Sequence, residues 1–194
     1  MSKRTTYLAA AIVGALFATS AMVPAFAQDK MKGEKTVMVG GAPMYPSKNI
    51  VQNAVNSKDH TTLVAAVKAA GLVDTLSSAG PFTVFAPVNA AFAKLPAGTV
   101  DTLLKPENKG TLTTVLTYHV VAGRLSAADI AAKIKAGGGK AMLKTVQGEN
   151  LTATSKNGAI WLTDAKGGTS TVTINDVLQS NGVIHVIDTV LLPS

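Results

Sequence analysis

Three features of the 194-residue sequence predict an α+β fold. Between Ser47 and Ala136 most segments have helical spacing. From Lys140 the texture changes to short period-two runs of β-branched residues and threonines, separated by glycine turns. The third feature is Asn181 to Pro193, a strand-forming stretch that is apolar on both faces. Side chains alternate across a strand, so Val183, His185, Ile187, Thr189 and Leu191 form one face. Ile184, Val186, Asp188, Val190 and Leu192 form the other. Such a strand is expected to be central and covered on both sides, opened by an Asn181-Gly182 turn with positive φ and ended by Pro193. His185 and Asp188 lie inside it and each needs a hydrogen-bond partner.

Residues 1–27 read as a secretory leader. Met1-Ser2-Lys3-Arg4 is basic, Leu8 to Phe17 is apolar, and Ala25-Phe26-Ala27 is a small-x-small cleavage site before Gln28. The uncharged stretch is just long enough to span a bilayer, but Pro24 and the cleavage site argue for removal. No Cys follows, so a lipid anchor is excluded, and no Arg-Arg pair points to the twin-arginine route. Removing the leader takes Lys plus Arg from 18 to 16 against 11 acidic residues, leaving a net charge of +5. The lysines are scattered, which gives no support to a nucleic-acid partner. Without cysteine there is no disulfide, thiolate metal site or thiol nucleophile, so stability must come from the core.

Residues 28–46 form a lead-in. Residues 28–36 read as linker, Val37-Met38-Val39 as a short edge strand, and Met44 and Tyr45 as an ordered arm, because two glycines and two prolines bar a helix. The domain proper is assigned to 47–194. Ser47 is placed as the cap of a helix carrying Ile50, Val51, Ala54 and Val55. A second helix starts at Thr61 or Thr62, carries Leu63, Val64, Val67 and Ala70, and stops at Gly71. A helical turn covers 72–76. Phe82 to Ala86 is a buried strand. Asn89 is placed as the cap of a short helix to Leu95, and Thr99 as the cap of one carrying Val100, Leu103 and Leu104. Asn108 to Tyr118 is a helix with Leu112, Val115 and Leu116 inward, followed by extended His119 to Ala122. Ser126 and Asp129 form a capping box for a helix packing Ile130 and Ile134, which Gly137-Gly138-Gly139 ends. Strands follow at 141–147, 150–155, 158–163 and 169–174, with Asn157-Gly158 as the clearest hairpin turn.

Residues that could carry chemistry are sparse. His60, His119 and His185 lie about 60 residues apart without paired spacing, so no metal site is expected. There is no Gly-x-Ser-x-Gly elbow and no paired carboxylate motif, and Gly137-Gly138-Gly139 lacks the strand and the Lys-Ser/Thr of a phosphate loop. No catalytic residue, metal or cofactor is assigned. Lys133, Lys135, Lys140 and Lys144 gather around the glycine loop, where a solvated face is the first reading and contact with acidic polysaccharide or anionic lipid heads the alternative.

Thr83-Val84-Phe85-Ala86-Pro87-Val88-Asn89-Ala90-Ala91-Phe92 resembles the first signature of the fasciclin-like domain family, with Val88 in place of the usual Thr. Tyr118-His119-Val120-Val121 is similar to that family's Tyr-His motif, and Asn181 to Pro193 to its second signature. The resemblance spans Ser47 to Leu192. It implies a wedge-shaped β-sandwich with a helical layer from the N-terminal half. It also implies a secreted, periplasmic or cell-surface protein of bacterial type, acting as a non-enzymatic adhesion or interaction module. Cell-surface or matrix proteins are the expected partners, with acidic polysaccharide as a further one; no stable membrane anchor remains after cleavage, and the oligomeric state is left open. Because the family motif is associated with receptor binding, Tyr118 and His119 are the candidate contact residues. Their own chemistry predicts burial of the Tyr118 ring and a backbone carbonyl near Val115 or Leu116 as the partner of His119. Some fasciclin-like proteins carry carotenoids, so a carrier of an apolar small ligand is the alternative function. Four methionines past the leader, Met31, Met38, Met44 and Met142, would suit it.

Overall fold

The computed structural model describes residues 35–194; the leader at 1–27 and the first part of the lead-in lie outside the described residues. Strands β1 (Val37–Val39) and β2 (Ala42–Met44) form a two-stranded antiparallel hairpin. Short helices follow: α1 (Ile50–Ala54), α2 (Thr61–Ala70) and α3 (Val73–Ser77). Then come β3 (Phe82–Pro87), α4 (Asn89–Ala93), α5 (Thr99–Leu103), α6 (Lys109–Tyr118) and β4 (Val120–Ala122). Helix α7 (Ala127–Ala136) precedes β5 (Lys140–Lys144), β6 (Asn150–Lys156), β7 (Ala159–Thr163), β8 (Thr169–Gln179) and β9 (Gly182–Ile187). Among the described residues, no helix is long and apolar enough to cross a membrane.

Seven strands form one sheet in the order β4-β3-β9-β8-β7-β6-β5. The end strands β4 and β5 meet: Val121 bridges Thr145, and the Val146 amide donates to the Val120 carbonyl at 2.7 Å. The sheet therefore nearly closes into a barrel. The C-terminal strand β9 is central and fully buried, as its composition demands. It runs antiparallel to β8 and parallel to β3, pairing Phe82 with Gly182 through Pro87 with Ile187.

Two apolar cores share the β3–β9 pair. Val84, Ala86, Ile184 and Val186 face the helical layer, where they meet Ile50, Leu63, Val67 and Leu116. Phe85 and Ile187 face the other way, with Ile130, Leu143, Leu151 and Leu162 inside the near-barrel. The β1–β2 hairpin adds Val39, Ala42 and Met44 to the helical core.

Several expected caps sit elsewhere. Residues 45–48 make a turn, with the Lys48 amide on the Tyr45 carbonyl, so α1 starts later and Asn49, not Ser47, caps it in a capping box with Gln52. Asn89 does not cap its own helix. Its Oδ1 accepts from the Thr62 amide at 3.0 Å and its Nδ2 donates to the Lys58 carbonyl, so it serves the start of α2 instead. Thr99 lies inside α5, and Gly98 stands at the cap with φ 80°. The Ser126–Asp129 capping box forms as expected. Asn157 and Gly158 have φ of 52° and 78° between Lys156 and Ala159, the backbone of a type I′ hairpin turn.

Asn181-Gly182 behaves differently. Gln179 pairs with Gly182, so the turn residues are Ser180 and Asn181, and neither Asn181 nor Gly182 has positive φ. Gly182 is needed because a Cβ there would lie 2.2 Å from the Phe82 carbonyl oxygen. The buried Asn181 side chain joins two helix ends: Oδ1 accepts from the Ile50 amide at the start of α1, and Nδ2 donates to the Leu76 and Ser78 carbonyls at the end of α3. These are groups that helices leave unpaired. Asn181→Ala is expected to cost roughly 1–3 kcal/mol, read as a lower urea midpoint at constant slope.

The strand also ends earlier than expected. Past Ile187 the chain bends, because Asp188 Oδ1 accepts from the Thr171 amide and Ser170 Oγ accepts from the Thr189 amide. Strand β8 instead runs beyond the expected Ile174 to Gln179. A register shift between Ile174 and Val177 absorbs Asn175 and Asp176, whose turn-like character hides the continuation. Asp176 sits there with φ 54°.

Candidate functional site

Tyr118 and His119 stand where α6 stops. The last turn of any helix leaves carbonyls without intrahelical donors. His119 fills one of them: its Nδ1 donates to the Val115 carbonyl at 2.8 Å. Its Nε2 accepts from the Leu191 amide at 3.0 Å. One partner is an acceptor and the other a donor, so the ring is neutral with its proton on Nδ1. Burial pushes the pKa down to about 4, against the pull of the Val115 carbonyl and of Asp164, which favour the charged form.

The Tyr118 ring is fully buried and stands edge-on to His119, with centroids 6.5 Å apart. Its hydroxyl donates to the Asn150 carbonyl at 3.3 Å and accepts from the Ala165 amide at 3.0 Å. Burial raises its pKa, while the Ala165 amide works the other way. Asp164 next door accepts from the Gly168 and Leu192 amides. The corner therefore ties α6 to the start of β6, the loop at 164–168 and the segment after β9. The burial and the carbonyl partner match the expectation from the side chains. Neither residue presents its side chain to solvent.

His185 is fixed in the same manner. Its Nε2 donates to the Leu125 carbonyl at 2.8 Å, Nδ1 accepts from the Asp176 amide at 3.3 Å, and the ring stacks on Phe85. Asp176 Oδ1 in turn accepts from the Ala127 amide, placing a carboxylate on the first turn of α7. Burial lowers the His185 pKa. His60 is buried as well, with Nδ1 2.9 Å from Ser57 Oγ. Its Nε2 has no hydrogen-bond partner, and burial lowers its pKa although the Ala86 carbonyl pulls the other way. Among the described residues, no three His, Asp or Glu side chains gather into a group that could hold a metal.

An apolar cavity of about 50 Å³ lies between the helical layer and the sheet. Ile50, Leu63, Val67 and Ile184 line it, with His60 and His119 in its wall. Lys133 and Lys135 are exposed on the last turns of α7, and Lys140 and Lys144 on β5. The structural roles of Asn89 and Asn181 were not readable in advance, because their partners lie 27 to 131 residues away.

The fasciclin domain family matches residues 58–193. The protein sll1483 of Synechocystis is 48% identical over 160 residues, covering 82% of each chain. The cell surface glycolipoprotein MPB83 of Mycobacterium bovis is 39% identical over 122 residues, covering 63% of this chain and 48% of that one. Among solved structures, a FAS1 domain pair from the insect cell adhesion molecule Fasciclin I superposes with a TM-score of 0.67 at 20% identity. That match covers 76% of this chain and 52% of the pair.

Proposed function

Because the chain belongs to the fasciclin domain family, we propose that it is exported and works at the cell surface or in the periplasm as a non-enzymatic module holding protein or matrix partners. The leader-like pattern of residues 1–27 supports export. A similar protein is named for the cell surface, and another for cell adhesion. The observation that carries the reading is what the histidines do. They are the side chains best suited to acid–base work near neutral pH, and all three are buried, two of them with both ring nitrogens committed to backbone groups. On this reading Tyr118 and His119 hold the fold, and partners meet other surface.

The carrier alternative is favoured less by the geometry. An engineered apolar cavity of roughly 150 Å³ takes benzene, and the apolar cavity between the helical layer and the sheet is about 50 Å³. A long polyene exceeds it several times over. The test is retention of washed producing cells by immobilised mature protein, with soluble protein as competitor. Retention above a coated control, abolished by competition, is expected. No retention, together with a visible absorption band in protein purified from its own cells, would replace the module with the carrier.

A further inference from the structure

The outward side of β5, β6, β7 and the first part of β8 has a composition that the fold does not use. Helix α7 packs Ile130 and Ile134 on the inner side of these strands, against Leu143 and Leu151. The outer side is left to solvent, where Lys140, Met142 and Lys144 are exposed. We infer that this face binds an acidic polysaccharide, and that Lys140, Lys156 and Trp161 form its centre.

Strand register sets the layout. Lys140 stands opposite Thr154, Thr154 opposite Trp161, and Trp161 opposite Thr171. Neighbouring strands lie about 4.8 Å apart, so this row is about 14 Å long. The Lys156 ammonium lies 5.6 Å from the Trp161 ring centroid, so positive charge and aromatic surface are presented together. The next row is Met142, Thr152, Thr163 and Thr169. No outward position of β5, β6 or β7 carries a carboxylate. Glu149 and Asp164 lie in loops at the opposite end of the strands from Lys140 and Lys156. Both already accept hydrogen bonds, from Ser194 and from Gly168 and Leu192 respectively.

This chemistry suits a sugar polymer with carboxylates. A part-exposed indole supplies apolar surface for a sugar ring beside the Lys156 ammonium, flanking threonine hydroxyls both donate and accept, and two lysines meet the negative charge. An anionic bilayer asks for apolar groups to insert, and Met142 is the one large apolar side chain in the two rows that is exposed. The inference rests on the reading of the chain as a surface module for where the polymer would be met. A chain that retains cells but ignores polysaccharide defeats this inference alone.

Trp161 is the only tryptophan, so its fluorescence reports on this face directly. The experiment titrates the mature protein with polygalacturonate in low salt, with dextran as the uncharged control. A change in Trp161 emission that saturates and is reversed by salt is expected, with none for dextran. The Lys140→Ala/Lys156→Ala pair should weaken binding about tenfold at unchanged thermal midpoint, whereas Lys105→Ala/Lys109→Ala should leave it unchanged. Absence of binding overturns the inference. So does equal weakening by both pairs, which would mean diffuse net charge. Tighter binding to phosphatidylglycerol vesicles or to single-stranded DNA than to polygalacturonate would also overturn it, moving the face to another partner.

Discussion

Ile187→Ala should lower stability by roughly 2–5 kcal/mol, because the cavity it opens cannot collapse. Ile187 is fully buried at the end of β9, inside the near-barrel. Its strand is clamped on both sides, by Pro87 of β3 and Val172 of β8. Neighbours held by two ladders have little freedom to move into the space left by the lost methylenes. The measurement is urea unfolding of mutant and parent, with the slope as a check that the transition stays two-state. Coincident midpoints would mean that β9 is not central.

Acid should destabilise the protein before its carboxylates are all protonated. His119 binds its proton at about pH 4 in the folded state, against a value of 6.5 in a free chain. Between those two values the unfolded chain holds more protons, so stability rises with pH across the window. The contribution is complete above pH 6.5 and is lost as the pH falls toward 4. The size for His119 alone is about 3 kcal/mol. Burial lowers His60 and His185 in the same direction, so their effect adds. Thermal midpoints between pH 7.5 and 4.5 test this. The parent should fall steeply below pH 6.5, while His119→Gln, which keeps an acceptor for the Leu191 amide but does not titrate, should start lower and fall less. A parent whose midpoint is level down to pH 4.5 would contradict the neutral, bridging histidine.

The parts of this fold readable in the sequence are the local ones. The Ser126–Asp129 capping box and the Asn157-Gly158 turn are decided within four residues, and both form. The two apolar faces of Ile184 to Ile187 follow from alternation alone. What was not legible depends on partners brought from afar. Asn89 looks like a cap for the helix it begins, yet the Thr62 amide reaches it first. Asn181-Gly182 looks like a positive-φ turn, while its use is contact, with Ile50, Leu76 and Phe82 all coming from earlier in the chain. The parallel pairing of β3 with β9 leaves no periodic mark in either strand. For the candidate site, helix-end chemistry pointed to a carbonyl for His119, but its second partner, Leu191, is 72 residues away.

The account turns on Tyr118 and His119 being parts of the frame and not of the contact surface. Adhesion and stability measured on one preparation of His119→Ala test that most directly. Loss of the two bridging hydrogen bonds should destabilise by roughly 1–3 kcal/mol. Adhesion per folded molecule should equal that of the parent, with any loss tracking the unfolded fraction. Adhesion abolished at full parental stability would contradict the account and make His119 a contact residue.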